Sequence, residues 1–294
     1  MSRLASPSGA VDAVLTPPGR GIRGFASSFR RRRVGIPERV ALVAIVIITV
    51  ALPFAPLLAP YGSTAVAGAP FTPPGIDHLL GTDSQGRDVF SRVLVGLGAS
   101  WFGAIAVIAF GVVLGSIIGL IAGFAGGIVD TVLMRLTDAA LALPATLVAL
   151  VVVAALGPSL QNTLIAVAVT WWPWYARIVR GQTRAIMTMP HVDAARLGGF
   201  SRTRIALVHV LPGSIGTVLI AASLDVGAVL LVLATLSFIG LGSPSPAAEI
   251  GSMTADGLTY LLTAPWVALA PATALFVLAL LANFAGDGLR ELAE

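Results

Sequence analysis

Apolar and polar positions alternate along this chain in long blocks. Residues 40–58 form an almost unbroken apolar run, and comparable stretches follow at about 101–124, 132–156, 163–179, 215–241 and 266–284. Each is close to the ~20 residues that a helix needs to cross a ~30 Å hydrocarbon core. The pattern predicts an all-α membrane protein with six transmembrane helices. The arginines ahead of the first run and Ala67-Gly68-Ala69 behind it would also suit a cleaved secretory signal. The run is longer than the roughly 7–15 apolar residues of a signal core, so it reads as a span.

The polar blocks carry their own signals. Residues 1–36 are rich in Ser, Pro, Gly and Arg and end in Arg30-Arg31-Arg32-Arg33; such a composition cannot bury enough apolar surface to fold alone and predicts a flexible tail. The membrane domain then occupies 37–294. Within 59–100, Pro60, Pro70, Pro73, Pro74 and Gly75 predict a loop, followed by a short amphipathic helix over 89–97 at the membrane interface. The later interruption, 181–212, is shaped for helices. Pro190 suits a first helical turn, Gly198-Gly199 breaks that helix, and Ser201 caps a second one reaching Val210 before Pro212 opens the fifth span.

Charge then orients the spans and removes several function classes. Charged residues make up 11% of the chain, against about one quarter in globular proteins. All 18 basic residues are arginine, so there is no lysine for a P-loop or a Schiff base, and an ATPase centre in this chain is excluded. Without cysteine there are no disulfides, thiolate metal sites or cysteine nucleophiles. Eight arginines lie up to Arg39, and Arg180, Arg184, Arg196, Arg202 and Arg204 lie between the fourth and fifth spans. Arg290 follows the sixth, while the odd-numbered loops hold only Arg87 and Arg92. The positive-inside rule therefore places both termini and 181–212 in the cytoplasm and 81–88 outside. Arginines gathered at span ends form no stripe for a phosphate backbone, which argues against nucleic acid.

Few other groups suggest chemistry. Arg135 and Asp138, three residues apart, read as a structural ion pair on one helical face. Asp225 stands alone inside the fifth span and reads either as a pathway or inter-subunit residue or as a helix-end group in water. His78, His191 and His209 are scattered over both predicted sides and propose no metal site. The Trp171-Trp172-Pro173-Trp174-Tyr175 cluster reads as packing or interfacial anchoring, with ligand stacking as the alternative. Gly111, Gly115, Gly119 and Gly123, every fourth residue of the second span, predict a close helix approach.

Several motifs together resemble one family. Asp193-Ala194-Ala195, Gly199 and Leu211-Pro212 are similar to the "EAA" signature of bacterial ABC importer permeases, with aspartate in place of glutamate and His209 where isoleucine is common. Gly81-Thr82-Asp83-Ser84-Gln85-Gly86-Arg87-Asp88 with Ser91-Arg92 resembles the outer signature of the C-type subunits of dipeptide and oligopeptide ABC importers. So do Gly126-Gly127-Ile128-Val129-Asp130 with Met134-Arg135, Tyr175-Ala176-Arg177-Ile178-Val179-Arg180, Leu236-Ser237-Phe238-Ile239-Gly240-Leu241-Gly242, Ala264-Pro265-Trp266 and Gly286-Asp287-Gly288-Leu289-Arg290, in order across about 37–294.

The resemblance implies a type I ABC importer permease fold and no covalent chemistry in this chain. It implies a B-type permease partner, ATPase subunits that bind the ATP and Mg, an extracytoplasmic peptide-binding protein, surrounding lipid and a bacterial inner-membrane location. It assigns ATPase coupling to Asp193, Ala194, Ala195 and Gly199, with Arg196 and Phe200 beside them. It gives Gly81, Thr82, Asp83, Gly86, Arg87 and Asp88 a part in closing the outer side and meeting the binding protein or partner permease. Leu233 departs from the family, where glutamate is common, and relatives carry dipeptides, longer peptides, nickel chelates or haem. A channel or secondary transporter without an ATPase, and an intramembrane enzyme, are the other classes; neither an inverted repeat nor an intramembrane nucleophile–base constellation is visible.

Overall fold

The computed structural model describes residues 35–293, so the tail expected at 1–36 falls almost wholly outside the described residues. Among these, structure is helical apart from two isolated bridges, Val66 with Arg87 and Thr82 with Asp88. Helix α1 (Ile36–Ala51) continues through a 3-10 turn at Leu52–Phe54 into α2 (Ala55–Leu58). Pro53 and Pro56 fall in the first turns of these pieces, where a missing N–H costs nothing.

Helix α3 (Val89–Ala125) has 37 residues and is roughly 55 Å long. The separate interfacial helix expected over 89–97 is therefore corrected: the chain runs helical into the second span. Gly98, Ala99 and Ser100 include no proline and no left-handed residue to stop it. What ends α3 is Gly126, followed by Gly127, at φ +65° and +54°, a pairing that only glycine adopts at little cost.

A second correction concerns 132–156, expected as one span. The chain forms α4 (Gly127–Ala142) and α5 (Ala145–Leu156), bent by 84°. The cause is Pro144, which forces Leu143 out of the helical region to φ −91°, ψ 135°. Next come α6 (Leu160–Met187), α7 (Pro190–Leu197) and α8 (Arg202–Ile205). The second short helix expected to stop before Pro212 is not separate. A π-helical turn, Ala206–Val210, joins α8 to α9 (Leu211–Leu236), and a second one, Ser237–Leu241, extends it. A π turn shifts the hydrogen-bond ladder, which lets a helix pass a proline without a break. Helices α10 (Ile250–Leu258) and α11 (Trp266–Ala293) complete the chain.

Among the described residues, four helices are long and apolar enough to cross a membrane: Ile36–Leu58, Val89–Ala125, Arg202–Leu241 and Trp266–Leu292; the bent α4–α5 pair would be a fifth. Helix α6, with 28 residues, has the length but carries Arg177, Arg180 and Arg184 near its end. The core forms where α3 crosses α6, as the glycine stripe predicts. A Cβ on Gly115 would lie 2.6 Å from the Trp172 carbonyl oxygen and the Tyr175 Cβ, and one on Gly123 would lie 2.7 Å from Thr183. Tyr175, Val107, Val167, Val179, Val229 and Leu230 fill the space around that crossing. The expected Arg135–Asp138 pair does not form. Asp138 instead accepts from Arg177 of α6 at 2.6 Å, because α6 packs alongside α4 and brings that arginine against the carboxylate.

Candidate functional site

Two polar clusters occupy opposite ends of α3, and a third group sits between them. At the N-terminal end, Asp88 caps the helix. Its Oδ2 accepts from the Ser91 backbone N–H at 2.8 Å and the Ser91 hydroxyl at 2.7 Å, and its Oδ1 lies 3.0 Å from His78 Nδ1. Asp83 accepts from the Gln85 and Arg87 N–H groups at 2.8 and 3.0 Å and from Arg87 Nε at 2.6 Å. Arg92, 3.6 Å from the same carboxylate, donates to the carbonyls of Ser63, Pro246 and Ala247 at 2.8, 3.0 and 3.1 Å. The Thr82 hydroxyl donates to the Ala69 carbonyl and accepts from the Thr72 N–H, while the Thr82 carbonyl accepts from Trp266 Nε1 at 3.1 Å.

The effect is mechanical. One octapeptide fastens the preceding loop, the start of α3, the segment before α10 and the start of α11. Gly81, Thr82, Asp83, Gly86, Arg87 and Asp88 are all buried, and only Gln85 between them is exposed. Gly81 and Gly86 take φ of +72° and +75°, so both turns need glycine. A cavity of about 270 Å³ adjoins the cluster, lined among others by Arg87, Asp256 and Tyr260. Sequence reading missed Arg92 and His78 as members. Ser91-Arg92 belonged to the quoted motif, but nothing local shows which distant carbonyls an arginine will reach.

The other end of α3 carries the segment expected to couple. Pro190 starts α7, and the helix stops at Gly198 and Gly199, the latter at φ +76°. The Phe200 N–H closes the end on the Ala195 carbonyl at 3.1 Å, and Ser201 accepts from the Arg204 N–H at 3.3 Å. The inner face of α7, Val192 and Ala195, packs with Ile186, Ile205 and Val210 against Leu120 and Phe124 of α3. Its outer face presents Asp193, Ala194 and Arg196, with Gly199 and Phe200 exposed beyond the helix end. Asp193 accepts from Arg196 at 2.9 Å, and both are exposed. Ala195, expected on the surface beside Ala194, is 9% exposed and belongs to the inner face, since neighbours one residue apart point 100° apart on a helix. Leu197, 90% exposed, is a surface residue that sequence reading missed. Arg204 lies 4.4 Å over the Phe200 ring, and His191 and His209 stack at 5.9 Å. These two histidines, both in the 181–212 segment, come together; His78 belongs to the other end.

Three further carboxylates lie between or beside these ends. Asp130, in the first turn of α4, accepts from Arg180 at 2.8 Å and from Arg184, latching α4 to α6. The i,i+4 spacing of those arginines was the available signal. Asp225 of α9 accepts from the Tyr175 hydroxyl at 2.7 Å, so Tyr175 of the aromatic cluster both packs and donates. Glu249, buried before α10, accepts from the Ser237 hydroxyl and the Ser243 N–H, a role the sequence did not suggest.

Residues 115–293 match the family described as binding-protein-dependent transport system inner membrane component. The chain is 39% identical over 253 residues to the probable D,D-dipeptide transport system permease protein DdpC of Escherichia coli (strain K12), covering 86% of this chain and 85% of that one. It is 36% identical over 260 residues to the dipeptide transport system permease protein DppC of Alkalihalophilus pseudofirmus, covering 86% and 85%. Its fold matches a chain of the inward-facing MetNI methionine ABC transporter with a TM-score of 0.55 at 18% identity, over 70% of this chain and 97% of that one. The chain belongs to the binding-protein-dependent transport system inner membrane component family, as a non-catalytic, multi-pass permease with the type I ABC importer permease fold.

Proposed function

We propose that this chain is one permease subunit of an ATP-driven peptide importer in the bacterial inner membrane, coupled to its ATPase subunits through α7 and the corner after it. The names of the relatives support the cargo class. The partners are a B-type permease, ATPase subunits that hold the ATP and Mg, and an extracytoplasmic peptide-binding protein. Counting α6 and the α4–α5 pair as spans gives six, with both termini and α7 cytoplasmic, in keeping with the arginine asymmetry.

The observation that carries the coupling role is the two-sidedness of α7. Its outer face offers Asp193, Ala194, Arg196 and the protruding Leu197, while Val192 and Ala195 are packed onto the end of α3. A partner that moves this helix moves α3 with it, and α3 reaches the opposite polar cluster. ATPase subunits shift the permease between states only if they bind α7 differently in each, and a packed, non-sliding underside transmits that difference.

Because the sequence has no cysteine, Ala194→Cys gives a single thiol on the outer face. In the assembled transporter it is expected to cross-link to an ATPase subunit in a nucleotide-dependent manner, and peptide uptake into proteoliposomes is expected to require ATP. Uptake that persists with the ATPase subunits omitted sinks the reading.

A further inference from the structure

Asp225 is a carboxylate inside α9 that meets no counter-charge among the described residues. It lies near the middle of α9, on the face that also carries the buried Val218 and Val229. No ion pair among the described residues includes it. Two other aspartates of the membrane domain are matched: Asp130 has Arg180 and Arg184, and Asp138 has Arg177. Asp225 is met by neutral donors, the Tyr175 hydroxyl at 2.7 Å and the Trp171 side chain. It is half-buried, whereas Tyr175 is fully buried. Neutral hydrogen bonds alone do not offset a carboxylate held at membrane depth, so such a group persists where it meets water, a partner or a charged ligand.

We infer that Asp225, backed by Tyr175 and Trp171, is a recognition point for a primary ammonium group, and that its ligand is the N-terminal ammonium of the transported peptide. The inference rests on the peptide-importer reading. A carboxylate supplies the charge-assisted hydrogen bonds that an ammonium needs. The Tyr175 hydroxyl holds one carboxylate oxygen in place. An arriving ammonium completes the ion pair that the chain does not make internally. Tyr175 is thus a positioning residue and Asp225 the contact.

The test uses the complete reconstituted transporter with its binding protein and a mixture of lysine-free di- to pentapeptides, each also N-acetylated. Asp225→Asn keeps the volume and the acceptor for Tyr175 but removes the charge. It is expected to cut uptake of free-amino peptides by roughly tenfold or more, the scale of one charge-assisted contact. The complex should still assemble, and Asp225→Glu should restore most of the uptake. Tyr175→Phe, which removes the hydrogen bond but keeps the charge, is expected to retain uptake within about threefold, the scale of a neutral bond. Uptake by Asp225→Asn equal to that of the unaltered protein overturns the inference. So do an equal fractional loss for acetylated peptides, or a Tyr175→Phe loss as large as that of Asp225→Asn, which would mark a structural pair. If the unaltered assembly takes up no peptide of either kind, the peptide reading itself fails and takes this inference with it. Lysine-containing acetylated peptides form the last arm: their rescue to free-amino levels would move the ligand from the N-terminus to the side chain, against the assignment.

Discussion

The two ends of α3 are made from the same residue types and do opposite things. At the N-terminal end Asp83, Asp88, Arg87 and Arg92 are buried, each facing an opposite charge or a defined donor or acceptor. At the C-terminal end Asp193 and Arg196 pair on an exposed helix face, with exposed side chains and Leu197 beside them. A buried arginine that is satisfied by three carbonyls and a carboxylate has nothing left to offer a partner. An exposed pair loses little by exchanging water for a protein surface. The difference teaches that a signature motif rich in charge is not automatically a contact surface: burial decides whether charge holds the fold or meets a neighbour.

The sharpest way to break this contrast is Arg92→Ala. It strands three carbonyls, at Ser63, Pro246 and Ala247, and leaves Asp83 with a poorer counter-charge. A loss of about 3–5 kcal/mol is expected, the range for breaking a buried pair, read as a drop in thermal unfolding temperature of the purified protein in detergent. Arg92→Lys should recover little, since an ammonium cannot replace the planar fork. A cost below about 1 kcal/mol would put this end in the class of exposed pairs.

Next in size is a comparison inside α7 itself. Ala195→Arg forces a charge under the helix among Val192, Ile205 and Val210 and is expected to cost about 2 kcal/mol or more. Ala194→Arg, one residue away on the outer face, should stay within about 0.5 kcal/mol yet reduce ATP-coupled uptake. If both variants unfold the protein equally, α7 lacks the two-sidedness on which its coupling role rests. A smaller effect belongs to the other end. Trp266→Phe keeps the ring but loses the bond to the Thr82 carbonyl, an expected loss of about 1 kcal/mol in the same unfolding assay.

The sequence made the long-range plan legible because lipid imposes a coarse rule: long apolar runs become helices, and glycines at i,i+4 spacing mark where two of them touch. Both held for α3 against α6. Helix stops were legible where a local rule suffices, as at Gly198-Gly199. The breaks that failed depended on competition. Pro144 won against an apolar run that looked continuous, whereas Pro212 lost to a π turn, and nothing local distinguishes the two outcomes. Pairing was the least legible. Arg135 and Asp138 have good spacing, but Arg177 of a neighbouring helix reaches Asp138 instead, and only packing decides that. The residues expected to couple lie on one short helix and the corner after it, but the assignment of Ala195 to the surface treated a motif as a patch when a helix divides adjacent residues between two faces.

The smallest effect on stability should come from Asp193→Ala, and that is its use. Asp193 and Arg196 are three residues apart on an exposed helix face, so their attraction is screened by water and salt and is worth about 0–1 kcal/mol. Removing the acid should leave the unfolding temperature almost unchanged, in contrast to Arg92→Ala, although each change deletes one member of an aspartate–arginine pair. If α7 docks on an ATPase subunit, the same substitution should weaken that association and lower ATP-coupled uptake, because in the complex Asp193 passes from water into a contact where its charge is less screened. The check is to measure unfolding and uptake on one preparation of the variant. Stability and uptake both unchanged would leave Asp193 a solvated surface acid, and the docking face would shift to Ala194 and Leu197. Stability lost along with uptake would make the pair a structural one, and the two ends of α3 would then differ in degree of burial but not in kind.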